Sequence, residues 1–236
     1  MTEAGEAPRD LGELATRVFG CRLCPRLVEH RERKARERRR AFRQEEYWGL
    51  PLMGFGDPAA RLLLVGLAPA AHGGNRTGRM FTGDASGDFL FAALHRAGFA
   101  SQPVSRGRDD GLTLHDAYVT AVVRCAPPGN RPLPEEIAAC RRYLAWEVAL
   151  LPRVRAVVAL GRIAWDGFSA YRRSVGLGRP RVPFAHGREE RLEPDGLHLL
   201  ASYHPSRQNT NTGRLTPEML DAVLARARAL LDADPP

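Results

Sequence analysis

Four short runs, residues 61–65, 117–123, 154–160 and 197–203, are apolar at most positions. Runs this short and this continuous predict strands buried on both faces. Between them apolar positions recur at helical spacing. Phe89, Leu90, Ala93 and Leu94 mark a helix over 85–97, Pro134 opens another over 135–151, and a third runs from Gly161 through Tyr171. The last helix has Thr216 at its cap, Pro217 at its first position and a stripe of Met219, Leu220, Val223, Leu224, Ala227, Leu230 and Leu231. Strands that alternate with helices imply a parallel sheet covered on both faces, a three-layer α/β/α fold around a four-stranded parallel sheet. The chain reads as one domain, 1–236, with a loose, disordered lead-in over 1–10.

Ahead of the first strand the pattern is weaker. Residues 11–19 read as a short amphipathic helix capped by Asp10, and 26–46 as a solvated helix dense in Arg and Glu. Arg31, Arg33, Arg36, Arg38, Arg39, Arg40 and Arg43 of the latter also suit a phosphate backbone, a minority reading. Residues 101–111 form a polar excursion and 172–195 an irregular basic one.

The loop from Gly66 to Asp84 leaves the first strand at its carboxyl end, where open α/β sheets place ligand sites. Glycines 66, 73, 74, 78, 83 and 87 allow close approaches that a side chain would block. Neither Gly-x-Gly-x-x-Gly nor Gly-Lys-Ser/Thr is present, which argues against a nucleotide cofactor. Phe81, Asp84, His72 and Asn75 instead suit a planar polar ligand such as a base.

Charge narrows the partner. The formal charge is +8, from 35 basic and 27 acidic residues, and all the basic residues but Lys34 are Arg. Such an excess favours a polyanion, and Arg contacts phosphate bidentately, although a GC-rich genome also inflates Arg. The only asparagines, at 75, 130, 209 and 211, fall in loops that follow strands, where they can serve hydrogen bonding or simply turns. No apolar run is long enough for a membrane span and no signal-peptide segment is visible, so a cytoplasmic, monomeric protein is expected.

Cys21-x-x-Cys24, Cys125 and Cys140 are the only cysteines. A disulfide framework is out of place in a cytosolic chain of this size. If the N-terminal segment folds back, the four suit either a zinc site or a [4Fe–4S] cluster. The second pair departs from zinc-ribbon spacing, which favours the cluster on spacing alone.

Gly66-Leu-Ala-Pro with Phe81-Thr-Gly-Asp84, Cys125-Ala-Pro-Pro-Gly-Asn130 and His204-Pro-Ser-Arg-Gln-Asn209, taken with the four cysteines, resemble the uracil-DNA glycosylase superfamily, most closely its iron–sulfur family 5. The resemblance runs from Cys21 to the last helix. It implies a [4Fe–4S] cluster on Cys21, Cys24, Cys125 and Cys140 that ties the N-terminal segment on, and excision of deaminated bases from DNA. By the same resemblance Phe81 stacks on the flipped base, while Asp84, Asn130 and His204 are catalytic positions. Gly66, Ala68, His72 and Ala121 are expected to line the base pocket, and Ser206, Arg207 and Gln208 to contact DNA. The chain also departs from its relatives' patterns. The acidic residue of the family 4 Gly-Glu-Ala-Pro-Gly motif is replaced by Leu67, and counting back from Cys125 puts Ala121 where family 4 reads uracil with Asn. A slip of one residue would bring Thr120 or Val122 there instead. Gln208 stands where the best-known branch inserts Leu.

Glycosidic hydrolysis needs charge stabilisation at the sugar, stabilisation of the leaving base and a positioned water. Asp84 suits the first and third, although a carboxylate ahead of Ala85 also suits a helix cap. His204 suits the second, by donating to a base carbonyl. Asn130 orients water or base, or caps its loop. Uracil is the expected substrate, with hypoxanthine and xanthine beside it because Ala121 leaves room and carries no polar group. Two rivals stand against this reading: a non-catalytic nucleic-acid-binding module with a structural four-cysteine metal site, and a redox iron–sulfur protein.

Overall fold

The computed structural model describes residues 6–233. Strands β1 (Phe55–Gly56), β2 (Leu62–Gly66), β3 (Ala117–Ala121), β4 (Ala156–Leu160), β5 (Glu189–Leu192) and β6 (Leu197–Ser202) form one sheet in the order β1-β3-β2-β4-β6-β5. The four expected strands are its parallel centre. β1 and β5 add antiparallel edges, a correction to the four-stranded sheet. Both are hard to see in sequence: β1 spans two residues, and β5 is mostly charged and lies within the expected irregular stretch.

Helices α1 (Leu11–Phe19), α2 (Pro25–Glu37), α3 (Gly74–Thr77), α4 (Ala85–Arg96), α5 (Pro134–Ala149), α6 (Arg162–Ser174), α7 (Arg207–Asn211) and α8 (Pro217–Ala233) complete the described chain. Strand alternation explains the apolar runs. Leu62, Leu64, Val119, Ala121, Val158 and Leu160 face one core with Leu90, Phe91 and Leu224 of α4 and α8. Leu63, Val65, Val157 and Ala159 face the other with Leu144 of α5 and Phe168 of α6. Most positions of the four parallel strands therefore have an apolar partner, and period-2 polarity is lost there.

The N-terminal segment packs on α5 through Leu14 and Val18 against Cys140 and Tyr143. Residues 1–5 of the expected loose lead-in lie outside the described residues. The rest of it is ordered, contrary to expectation: Pro8 is buried, Arg9 pairs with Glu13, and Asp10 caps α1 by accepting from the Glu13 N–H at 2.8 Å. Two further corrections concern 26–46. Its helix ends at Glu37, where Arg38 turns to φ 49°, and it is not wholly solvated, since His30 and Arg31 are buried. Among the described residues no helix is long and apolar enough to cross a membrane.

Candidate active site

The loops of interest leave β2, β3, β4 and β6 at their carboxyl ends. Gly66 ends β2 directly opposite Ala121, the last residue of β3. A Cβ on Gly66 would stand 2.6 Å from two ring carbons of Phe81, so only glycine lets that ring lie against the strand end. Ala121 belongs to the core against which Phe81 packs, whereas Thr120 turns to Glu147 and Val122 to Gly167. The register therefore places Ala121, not either neighbour, on the side of Phe81. β4 passes into Gly161, whose N–H donates to the Ser202 carbonyl at 2.8 Å. That approach brings in the loop after β6, and the Phe81 and His204 ring centroids lie 6.0 Å apart at 31°.

Asp84 has two distinct oxygens. Oδ1 accepts the Ser86 and Gly87 N–H groups at 3.0 Å each and so caps α4. Oδ2 lies over Gly73, where an added Cβ would come within 1.9 Å of it. Capping thus occupies one oxygen and leaves the other available. Burial raises the Asp84 carboxyl above its ordinary value, against the opposing pull of the two backbone donors.

Phe81 sits at φ 52°, a left-handed conformation that costs an aromatic residue on the order of 1–3 kcal/mol and persists only where its surroundings enforce it. Two arginines that sequence reasoning did not assign to the site enforce it. Arg79 is buried and donates to Thr82 Oγ1 at 3.1 Å, Ser105 Oγ at 2.7 Å and Asp110 Oδ2 at 2.6 Å. Burial alone would raise the Asp110 carboxyl, but Arg79 and three backbone N–H donors hold it well below the carboxylate range. The polar excursion over 101–111 is therefore a clamp on the glycine-rich loop. Arg76 ties the loop's two halves, donating to the His72 carbonyl at 2.9 Å and the Gly83 carbonyl at 2.8 Å. No sequence signal pointed to either role: Arg79 meets Ser105 and Asp110 from 26 and 31 positions away, and the Arg76 contacts are to backbone carbonyls, which no residue type announces.

His204 is neutral at physiological pH, since burial drives its pKa down to about 4. Among the described residues neither of its ring nitrogens has a hydrogen-bond partner, while its carbonyl accepts Asn209 Nδ2 at 2.8 Å. Ser206 caps α7, and Arg207 and Gln208 stand exposed in that helix's first turn. Asn130 is exposed at φ 56°, and its side chain caps nothing. No hydrogen bond joins it to Phe81, Asp84 or His204. Ala68 is half-buried just beyond β2. His72 is engaged rather than left open to a ligand, its Nδ1 lying 3.0 Å from Tyr47 Oη. Burial, then Lys34, Arg39 and Arg76, lower its pKa. Asn75 is structural: it is fully buried and donates to the Arg31 carbonyl at 3.2 Å.

All four cysteines line one small, partly open pocket walled by apolar residues such as Leu27 and Val123. Cys24 precedes α2, Cys125 follows β3 and Cys140 rides on α5. Burial pushes the Cys125 thiol up to about 11 and the Cys140 thiol to about 12. The guanidinium of Arg31, 1% exposed, donates to Cys125 Sγ at 3.0 Å and to the Cys21 carbonyl, and its Nε has no partner. Its nearest carboxylate is the half-exposed Glu32, at 3.8 Å. Among the described residues no three His, Cys, Asp or Glu side chains are grouped so as to hold a single metal ion.

Residues 53–228 match the family described as the uracil DNA glycosylase superfamily. A type-5 uracil-DNA glycosylase of Thermus thermophilus is 59% identical over 213 residues, which is 90% of this chain and 94% of that protein. A type-5 uracil-DNA glycosylase of Pyrobaculum aerophilum is 48% identical over 92% of each chain. A type-4 uracil-DNA glycosylase of the same organism is 34% identical over 65% of this chain and 70% of its own length.

Proposed function

The chain belongs to the uracil DNA glycosylase superfamily, and from that premise we propose how its strand-end loops divide the work of excising a deaminated base. It is a DNA glycosylase, hydrolysing N-glycosyl bonds to remove uracil from DNA. The target bond is inaccessible inside the stack, so the nucleotide must flip out. Phe81, fixed in its strained conformation, offers a face for the flipped base, with His204 6.0 Å away. Water attacks C1′ as the bond to the base nitrogen breaks. Asp84 Oδ2 positions that water and takes its proton, and its charge stabilises the developing sugar cation. The electron pair leaves with the base, and neutral His204 donates a ring N–H to the base oxygen where negative charge grows. Asn130 and loop backbone groups supply further polar contacts to water or base, and Arg207 in α7 contacts a phosphate.

Breadth of substrate rests on Ala121. A site that hydrogen-bonds a base edge rejects analogues strongly because an unmatched buried polar group is left unpaired, while an apolar wall rejects them weakly. Ala121, buried opposite Gly66, has no donor or acceptor, and Phe81 stacks on any planar ring. The enzyme therefore releases hypoxanthine and xanthine as well as uracil. Single-turnover release of uracil and hypoxanthine by the wild type and by Ala121→Asn is the test. The wild type is expected to release both, and the variant to lose hypoxanthine activity by about 10-fold or more, the size expected of discrimination at a base edge. A wild type strict for uracil would overturn the broad specificity.

Cys21, Cys24, Cys125 and Cys140, which line one pocket, would hold a [4Fe–4S] cluster. The supporting observation is Arg31, a buried cation whose nearest carboxylate is the partly exposed Glu32. Four thiolates around a cluster carry the negative charge that would compensate it. The cluster would serve as a cross-link between the N-terminal segment, β3 and α5. Anaerobic purification should yield about four irons and four sulfides per chain. Stoichiometric zinc without iron after metal-replete expression would refute the cluster.

A further inference from the structure

Between α2 and β1 the chain carries Arg38, Arg39, Arg40 and Arg43, all exposed. Elsewhere arginines are commonly neutralised: Arg61 by Asp116, Arg79 by Asp110, Arg96 by Asp221, Arg124 by Glu147, Arg172 by Asp195 and Arg226 by Glu189. Among the described residues none of these four pairs with a carboxylate: of the nearby acids, Glu37 and Glu45 are taken by Lys34 and Arg76, and the exposed Glu46 forms no ion pair with any of them. Four uncompensated guanidiniums within six residues repel one another and have no role in folding that a hydrogen bond would reveal, apart from Arg38 Nη1 donating to the Arg43 carbonyl.

The segment is also pinned against the glycine-rich loop. Phe42 lies under the Arg76 guanidinium, 3.9 Å from ring centroid to Cζ, and Glu45 pairs with the same guanidinium. Tyr47 Oη accepts the Arg39 N–H at 3.3 Å and bonds His72 Nδ1 at 3.0 Å. Trp48 and Gly49 donate backbone N–H groups to the Arg76 and Asn75 carbonyls at 3.0 and 3.1 Å. Arg76 in turn holds the Gly83 carbonyl beside Asp84.

We infer that Arg38, Arg39, Arg40 and Arg43 form a DNA phosphate-binding ridge, fixed to the lesion-binding loop through Phe42–Arg76 and Tyr47–His72. A duplex whose flipped base enters beside Phe81 must run its backbone past whatever flanks that loop, and this ridge supplies the cationic wall. The assignment rests on the glycosylase reading above, but the contact is sequence-independent and serves undamaged DNA equally.

The test is salt-dependent binding of the full-length protein to an undamaged duplex, alongside single-turnover uracil release at saturating DNA. The quadruple variant Arg38→Gln, Arg39→Gln, Arg40→Gln and Arg43→Gln is compared with an equal charge change at Arg153, Arg155, Arg173 and Arg179. Those four are also exposed, and Arg153 and Arg155 precede β4 at the end of the sheet opposite the site. Each lost phosphate contact should lower the slope of log K against log salt by about 0.9. The ridge variant is expected to lose a slope of about 2 or more and at least 10-fold in affinity at low salt, with its saturated release rate unchanged, while the control keeps the wild-type slope. Wild-type slope and affinity in the ridge variant, or an equal loss in the control, would overturn the ridge. Charge reversal of Arg39 and Arg43 alone to Glu gives a second, smaller variant with the same expected direction. Failure of the wild type to release any base would instead sink the glycosylase reading and leave the binding result interpretable.

Discussion

Asp84→Asn is expected to release uracil at least about 100-fold more slowly in single turnover, the low end of what a positioned proton acceptor contributes, while unfolding at the wild-type temperature. The two oxygens of Asp84 make this separation possible. Oδ1 caps α4 through Ser86 and Gly87, and Oδ2 faces Gly73. Asn caps a helix about as well as Asp, so the substitution keeps the first function and deletes the second. Asp84→Ala removes both, and should add a stability loss of about 1 kcal/mol to the same rate defect. DNA affinity should stay near wild type in each, because neither change touches a phosphate contact. His204→Ala should likewise lower the rate and spare affinity, whereas Arg207→Ala should weaken binding and flatten its salt dependence. If Asp84→Asn kept the wild-type rate, capping would account for this residue in full.

Glu147→Ala is expected to cost about 3–5 kcal/mol in denaturant unfolding, the loss typical of a buried pair stripped of one partner. Glu147 is fully buried and receives Arg124 Nη1 at 3.2 Å, Arg124 Nη2 at 2.5 Å, Tyr118 Oη at 3.3 Å and the Gly54 N–H at 3.0 Å, together with Thr120 Oγ1. It thereby joins α5, β3 and the approach to β1. Removing it leaves the Arg124 guanidinium, 1% exposed, without a counter-charge. A double variant, Arg124→Met with Glu147→Leu, should recover only part of the loss, because the unpaired charge is gone while Tyr118 Oη, Thr120 Oγ1 and the Gly54 N–H are left without their acceptor. A single variant as stable as the wild type would mean that water reaches the Arg124 head group.

The glycine-rich loop shows how far the residues spoke for themselves. Its position after β2, its close approaches and the Asp84 cap were legible, since a strand, a run of glycines and a helix cap each rest on local rules. That Gly73 makes room for Asp84 Oδ2, and Gly87 for the Phe81 carbonyl, was not. His72 was expected at the pocket and is instead engaged by Tyr47, and the asparagine pattern proved mixed: Asn75 is buried structure, Asn209 holds the His204 carbonyl, and Asn130 is exposed.

By itself the sequence determined the α/β/α class, the four parallel strands, the bounds of α1 and the cap of α8, because burial on two faces and helical periodicity are properties of neighbours along the chain. It also determined which residue types crowd the strand ends. Only the tertiary structure decided the edge strands β1 and β5, the burial of Arg31 and Glu147, and the clamps that Arg76 and Arg79 place on the lesion loop. A charged side chain reads as solvated until the fold supplies its partner: Asp110 reaches Arg79 from 31 positions away, and Glu147 reaches Arg124 from 23. No pattern of adjacent residues encodes that meeting, and the desolvation that makes such pairs matter exists only once the chain has closed around them.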